Sequence, residues 1–391
     1  MALSENTTMI VQPLNDRSGS ERIVERARRM MKSEILTGRP DPEGLLALTR
    51  IIFPGEDVSD PKFLPWLYDQ NPGGRAVEFL TRNQDLVTGH IALVPLRYKI
   101  GKGAATGSMA INAITHPDYR GRGIFIILHD LAFKAAPAEQ IAFTFGYANL
   151  SSEKGCLRHL GYRKLANLPL WVLPFNLPRI IAAQPSKRSL AWRAAAWAAQ
   201  PPLTLWRWAR RPRKGSSADI RKIAKFGPEF DDLWAAASQN LDNILVRDRT
   251  FLNWRFVEAP TRRYDLWAAF SGSRPVGYLA GRSIEIKGLR WGFIVDLFSE
   301  DTPAGRAAAS RLVAAFHAHL AGEGTDIAAS LMLRHAPAAR ALRRNGYAVC
   351  PPSLLPREFP ALLRWNMPEP PPPRFFEPSN WFITLADFDA L

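Results

Sequence analysis

The chain has 391 residues, 47% hydrophobic and 22% charged, with 12 Trp and 21 Phe. That length exceeds one ordinary core, and that composition can offset its ordering entropy, so two folded domains are expected and wholesale disorder is excluded. The net charge is +15, and two cysteines, Cys156 and Cys350, make neither a disulfide framework nor a four-thiolate zinc site.

Residues 1–35 read as a polar segment and helix without the charged-then-apolar order of a secretory leader. The most apolar stretch, 166–178, is too short for a membrane span and is interrupted by Pro169 and Pro174, so a cytoplasmic protein is expected. A first domain is expected over 36–178. It opens with a helix at 43–53, then the aromatic segment KFLPWLYDQNP and hairpin-like runs in AVEFLTRNQDLVTGHIALVPL. The strand SMAINAIT leads into a helix over 123–136, whose Ile124, Ile127, Leu128 and Leu131 share one face. The strand QIAFTFGYAN and a helix ending at Gly161-Tyr162 follow.

A connector spans 179–218. From Lys154 to Ala218 there are thirteen Lys or Arg and no Asp or Glu, and Trp192, Trp197, Trp206 and Trp208 lie among them. A short helix is expected around SLAWRAAAWAAQ, with a break at Pro201-Pro202. Three readings fit 179–214. It is a solvated linker, a segment lying on an anionic membrane surface, or a dock for an acidic carrier protein. The second would make the protein peripheral to the inner face of the membrane. Nucleic acid fits worst, because the remaining chain is near neutral and carries no groove-reading module.

Beyond the connector the chain repeats itself. Phe63, Leu64, Trp66 and Pro72 match Phe251, Leu252, Trp254 and Pro260 at a constant offset of 188, with Tyr68 facing Phe256 and Gly89 facing Gly277. With a small deletion, Gly121-Arg122 and Leu128 match Gly305-Arg306 and Leu312, and Gly161-Tyr162 matches Gly346-Tyr347. Two copies of one fold are therefore expected, the second over 219–365, followed by a Pro-rich tail over 366–391. Antiparallel strands followed by strand–helix–strand–helix make each an α+β domain with a mixed, mostly antiparallel sheet and flanking helices.

The segment ITHPDYRGRGIFIILHDL carries the chemistry. A strand ends at Thr115, Pro117 turns the chain, and Arg120-Gly121-Arg122-Gly123 opens a helix. The first amides of a helix lack internal partners, so with the helix dipole and flanking arginines they form a cradle suited to a diphosphate. The run Thr115-His116-Pro117-Asp118-Tyr119-Arg120-Gly121-Arg122-Gly123-Ile124-Phe125 resembles the signature of the GNAT superfamily of acyl-CoA-dependent N-acyltransferases, departing from it where Phe125 replaces a small residue. The resemblance implies that Ala113, Ile114 and Thr115 pair with the pantetheine arm between splayed strands. It implies that Arg120, Gly121, Arg122, Gly123, Ile124 and Phe125 hold the diphosphate, and that Asn149 contacts pantetheine. It further implies acetyl-CoA or another acyl-CoA as donor, an amine of a small molecule, sugar or lipid precursor as acceptor, and no metal.

The second copy reads Thr302-Pro303-Ala304-Gly305-Arg306-Ala307-Ala308, without the second glycine, and is expected to bind CoA poorly. No catalytic residue is assigned. The position where many relatives carry an acidic Tyr is Cys156 or Leu157, and His116, Asn112 and Glu153 are weak candidates for a base. A long-chain acyltransferase fed by acyl carrier protein and a non-catalytic binding pair are the alternatives. Some members of the superfamily bring the C-terminus into the active site; the favoured reading of NWFITLADFDAL is an added strand and a solvated acidic end.

Overall fold

The computed structural model describes residues 34–37, 41–147, 150–184, 189–210, 218–355 and 357–388. The N-terminal polar segment and helix expected over 1–35 lie outside these residues, save for the start of β1 (Glu34–Thr37). Helix α1 (Pro42–Ile52) begins where Asp41 accepts the Gly44 amide at 2.9 Å and Pro42 fixes the first turn. Next come α2 (Phe63–Tyr68), β2 (Val77–Asn83), β3 (Leu86–Ile100), β4 (Gly103–Thr115), α3 (Ile124–Ala135), β5 (Ile141–Gly146), α4 (Leu150–His159), β6 (Arg163–Asn167) and β7 (Leu170–Pro174). The connector holds α5 (Leu177–Ala182) and α6 (Leu190–Ala209).

The second half runs β8 (Asp219–Ile223), α7 (Glu229–Ala237), β9 (Asn243–Leu245), α8 (Arg249–Phe256), β10 (Asp265–Ser271), β11 (Arg274–Ile286) and β12 (Leu289–Ser299). It continues with α9 (Pro303–Gly322), β13 (Ile327–Leu331), α10 (Pro337–Arg344), β14 (Ala348–Val349), β15 (Pro360–Trp365) and β16 (Trp381–Phe382). The α+β class and the two mostly antiparallel sheets match the expectation. The order in one sheet is β1-β2-β3-β4-β5-β15-β6 and in the other β8-β10-β11-β12-β13-β7-β14. Within these two orders, only β4–β5 and β12–β13 run parallel.

The two halves exchange strands. β7, from the first half of the chain, sits between β13 and β14, while β15, from the second, sits between β5 and β6. Each sheet is therefore completed by the other half, so that neither can bury both edges of its gap alone. The offset of 188 in the sequence is a spatial relation as well. Trp66 and Trp254 stack at 4.8 Å, and each indole N–H donates to the other's carbonyl, at 3.1 and 3.2 Å. These reciprocal bonds join the two segments that the sequence repeat matches.

One expectation about the connector is corrected. Helix α6 does not break at Pro201-Pro202 but runs through them for 20 residues. The two prolines remove two amide donors, yet both are exposed, so the carbonyls they leave unmatched face water. The Gln200 carbonyl accepts the Thr204 hydroxyl at 2.9 Å.

Candidate functional site

Strands β4 and β5 pair from Thr106↔Ile141 to Met109↔Phe145 and then part. β4 continues to Thr115, so residues 110–115 keep β3 on one edge and, among the described residues, have no strand on the other. The register with β3 slips between His90 and Ala92, and opposite that slip Asn112 adopts φ 49°. Such a bulge bends its strand away from the neighbour. Three side chains hold it. The Asn112 amide donates to the Tyr68 hydroxyl at 2.6 Å, His90 Nδ1 donates to the Asn112 carbonyl at 3.1 Å, and His90 Nε2 lies 3.2 Å from Glu78 Oε2. His90 is buried, with one ring nitrogen on each of these two oxygens.

The split leads directly to the Arg-Gly turn. After Thr115, a single 3₁₀ turn at Pro117–Tyr119 is capped by His116, whose Nδ1 accepts the Asp118 amide at 3.3 Å. Gly121 and Gly123 then take φ 76° and 80°, the left-handed region that glycine enters without strain. Gly123 is the N-cap of α3 and, lacking a side chain, leaves the helix start uncapped. Among the described residues, no acceptor meets the amides of residues 121–125. The turn is open: a Cβ built on Gly121 would meet nothing within 4 Å. Arg122 folds back over the Tyr119 ring at 4.6 Å and donates to the Asp118 carbonyl, while Arg120 is exposed. Helix α3 reaches this position because Gly89 on β3 has no side chain; a Cβ there would fall 2.4 Å from Ile124 Cγ2.

Ala113, Ile114 and Thr115 thus lie on the unpaired edge of β4, and Arg120 to Phe125 form the open turn beyond it. Asn149 lies outside the described residues. Of the weak candidates, Cys156 is buried among Phe133, Leu160 and Tyr162, where burial pushes its thiol up to about 11, so it packs rather than reacts. Glu153 pairs with Lys164 at 2.9 Å.

His129, one turn into α3, is buried and donates from Nδ1 to the Phe125 carbonyl at 2.8 Å, with its ring 4.2 Å from the Phe125 ring. Burial pushes the imidazole down to about 4, with a smaller lowering from Arg364. The unfolded chain, with an ordinary value near ~6.5, takes up a proton that the folded chain refuses. The resulting stability is complete above pH ~6.5 and is lost as the pH falls toward 4, by about 3 kcal/mol. Urea unfolding at pH 7 and 4.5 is expected to show a decline that His129→Leu largely removes. An equal decline in that variant would contradict the assignment.

Sequence reasoning did not single out Tyr147, Tyr68, His90 or Glu78. Tyr147 follows β5 where the strands part. Its hydroxyl is buried and, among the described residues, has no hydrogen-bond partner; burial raises its pKa far enough to keep the phenol protonated. A signal did exist at Tyr68, because the repeat pairs it with Phe256 and the hydroxyl belongs to the copy that carries the Asn112 bulge. The ring of Phe388 covers Tyr147 with centroids 3.6 Å apart, so the C-terminal segment reaches the mouth of the split.

The expected solvated acidic end is corrected in part. β16 pairs with β9 as an added strand, but Asp387 is buried in a network centred on Arg247. Arg247 is fully buried and donates to Asp296 at 2.9 Å, Asp387 at 2.8 Å, Thr384 at 3.1 Å and the Leu245 carbonyl at 2.9 Å. Desolvation dominates at Asp387 and raises its carboxyl above the usual range despite Arg247. Residues 389–391 lie outside the described part.

The corresponding turn of the second half is different. The Thr302 hydroxyl accepts the Gly305 amide at 3.0 Å and so caps α9 itself. Glu300 and Asp301 precede that cap, and carboxylates there oppose a phosphate. Across the split of this half, Thr384 pairs with Met332 and donates to Asp296, so the tail bridges β12 and the end of β13.

No protein-family model matches the chain, and no curated protein matches its sequence. Solved structures do. A GCN5-related N-acetyltransferase from Anabaena variabilis superposes with a TM-score of 0.59 at 13% identity, over 86% of this chain and 73% of that one. A conserved Enterococcus faecalis protein described as a probable N-acyltransferase gives 0.58 at 10% identity, over 86% and 73%. Saccharomyces cerevisiae N-myristoyltransferase, solved with bound myristoyl-CoA, gives 0.57 at 10% identity, over 85% and 82%. At these identities the shared property is the fold, the one that the GCN5-related N-acetyltransferase and N-myristoyltransferase structures have in common with this chain.

Proposed function

From a GNAT fold with an open, uncapped helix start at its strand split, we propose that this protein is an acyl-CoA-dependent N-acyltransferase whose first half binds the donor. The observation that carries this reading is the set of amides at residues 121–125, which have no acceptor among the described residues. Backbone N–H groups at a helix start, reinforced by Arg120, suit the donor's diphosphate. The free edge of β4 at Ala113, Ile114 and Thr115 suits the amide-bearing pantetheine arm, with Asn149 as a further contact by resemblance. Acetyl-CoA is the proposed donor. A longer acyl-CoA is the second reading, supported by the likeness to a fold solved with myristoyl-CoA. The acceptor is an amine of a small molecule, sugar or lipid precursor, and the reaction needs no metal.

The donor supplies an activated thioester, and the chain's residues supply alignment and charge stabilisation. Tyr68, His90 and Glu78 fix the Asn112 bulge, which sets where the β4 amides point. The neutral acceptor amine attacks the thioester carbonyl to form the C–N bond. Tyr147, protonated across the physiological range, donates its proton to the sulfur as the C–S bond breaks, and the nitrogen of the adduct, now cationic, gives up a proton that restores the phenol. The second half, self-capped at Thr302 and bridged by the tail, is proposed to stabilise the first without binding CoA.

Thiol release from acetyl-, octanoyl- and myristoyl-CoA with a panel of amines tests the reading. Turnover is expected with wild type. Tyr147→Phe is expected to lower kcat about 100-fold with KM for the donor little changed. Absence of turnover with every pair would reject the enzyme, whereas full kcat in the variant would reject only the role of Tyr147.

A further inference from the structure

Helix α6 is an unusual surface. It touches the body along one narrow stripe, with Ala196 buried and Gln200, Leu203 and Arg207 half-buried at helical spacing. Its outer face carries Leu190, Trp197, Leu205 and Trp208, which are 81%, 67%, 64% and 63% exposed. Leu190, Trp197 and Trp208 fall within one narrow arc, Leu205 beside them, with Ala194 and Pro201 between; the face holds no polar side chain. Of eleven large apolar side chains exposed among the described residues, six lie on this helix. An apolar surface of this kind marks a contact with something absent from the isolated chain.

We infer that α6 lies flat on an anionic lipid bilayer, with Leu190, Trp197, Leu205 and Trp208 entering the headgroup boundary. Charge selects this occupant. The segment from Lys154 to Ala218 contains no carboxylate side chain, and Arg193 borders the apolar face, while Arg207 and Arg210 lie on the body side of the same helix. Beneath the last turns is a cavity of about 120 Å³ lined by Arg207, Arg210, Trp208, His317 and Asn345, with no carboxylate in its lining, as a lipid phosphate requires. An acidic protein would match the charge but not a non-polar face made of tryptophan, leucine, alanine and proline. At about 1.5 Å per residue the helix is roughly 30 Å long, yet no described helix is long and apolar enough to cross a membrane, so it rests on the surface.

The helix is fixed to the body as a rigid paddle. The Gln200 side chain accepts the Leu177 amide and donates to the Phe175 carbonyl, both at 2.8 Å, and the Arg207 guanidinium covers the Phe175 ring at 3.5 Å. None of the four outer residues takes part in that attachment, so replacing them leaves the fold intact.

The test is co-sedimentation of the full chain with vesicles of phosphatidylcholine alone and with one third phosphatidylglycerol, for wild type and the triple variant Trp197→Ser, Leu205→Ser, Trp208→Ser. Wild type is expected to pellet with the anionic vesicles, to bind neutral ones at least tenfold more weakly, and to blue-shift its tryptophan emission. The variant, with unchanged circular dichroism, is expected to lose at least tenfold in binding. Wild type remaining in the supernatant, or the variant binding equally well, would overturn the inference. So would an acyl carrier protein that binds α6 while vesicles do not, or concentration-dependent dimerisation that the triple variant abolishes in the absence of vesicle binding.

Discussion

Arg247→Met is expected to destabilise the folded protein by about 3–5 kcal/mol, the cost of leaving buried carboxylates without their cation. Arg247 is fully buried, and its guanidinium satisfies Asp296 on β12, Asp387 and Thr384 in the tail, and the Leu245 carbonyl on β9. Both carboxylates are themselves buried, and the Tyr278 hydroxyl donates to Asp296 at 2.7 Å. Methionine fills similar volume but removes the charge, so the loss is electrostatic rather than a cavity. Chemical denaturation of the single variant and of Arg247→Met with Asp387→Asn checks this. The double variant is expected to recover part of the loss, because one of the two stranded charges is gone. A single variant as stable as wild type would show that the network contributes nothing to holding the tail.

Gly123→Asp is expected to weaken CoA binding at least 100-fold, about 2.7 kcal/mol, while leaving the far-ultraviolet circular dichroism unchanged. Two effects act together. Gly123 has φ 80°, a conformation an L side chain adopts at a cost of ~1–2 kcal/mol. More importantly, a carboxylate at the N-cap would accept the amides of the helix start and put negative charge where the phosphates belong. Gly123→Ala separates the two, since it carries only the backbone cost and is expected to lose no more than about tenfold. Calorimetric titration of CoA against the three proteins provides the comparison. Equal affinities for wild type and Gly123→Asp would remove the cradle from the account.

Much of this architecture was legible in the residues because local and periodic signals govern it. The helix after Gly123 follows from apolar spacing and an uncapped glycine start, and the repeat offset is realised in the reciprocal Trp66–Trp254 bonds. What could not be read depends on contacts between distant segments. The exchange of β7 and β15 has no local signature, because either strand would look the same in its own sheet. The sharing of Asp387 with Arg247 joins residues 140 apart, so an acidic residue near the chain end reads as solvated. Glu78, His90 and Asn112 come from three strands and meet only through the bulge. At Pro201-Pro202 the local rule was outweighed by the exposure of the freed carbonyls and the strong helical tendency of the alanines before them.

The central claim is that the main-chain amides at the start of α3 hold the diphosphate of an acyl carrier. Hydrogen exchange measured with and without CoA tests it at those atoms. Slower exchange is expected for amides 121–125, with amides 304–308 at the start of α9 unchanged. CoA binding that leaves 121–125 unprotected, or that protects 304–308 instead, would contradict the account.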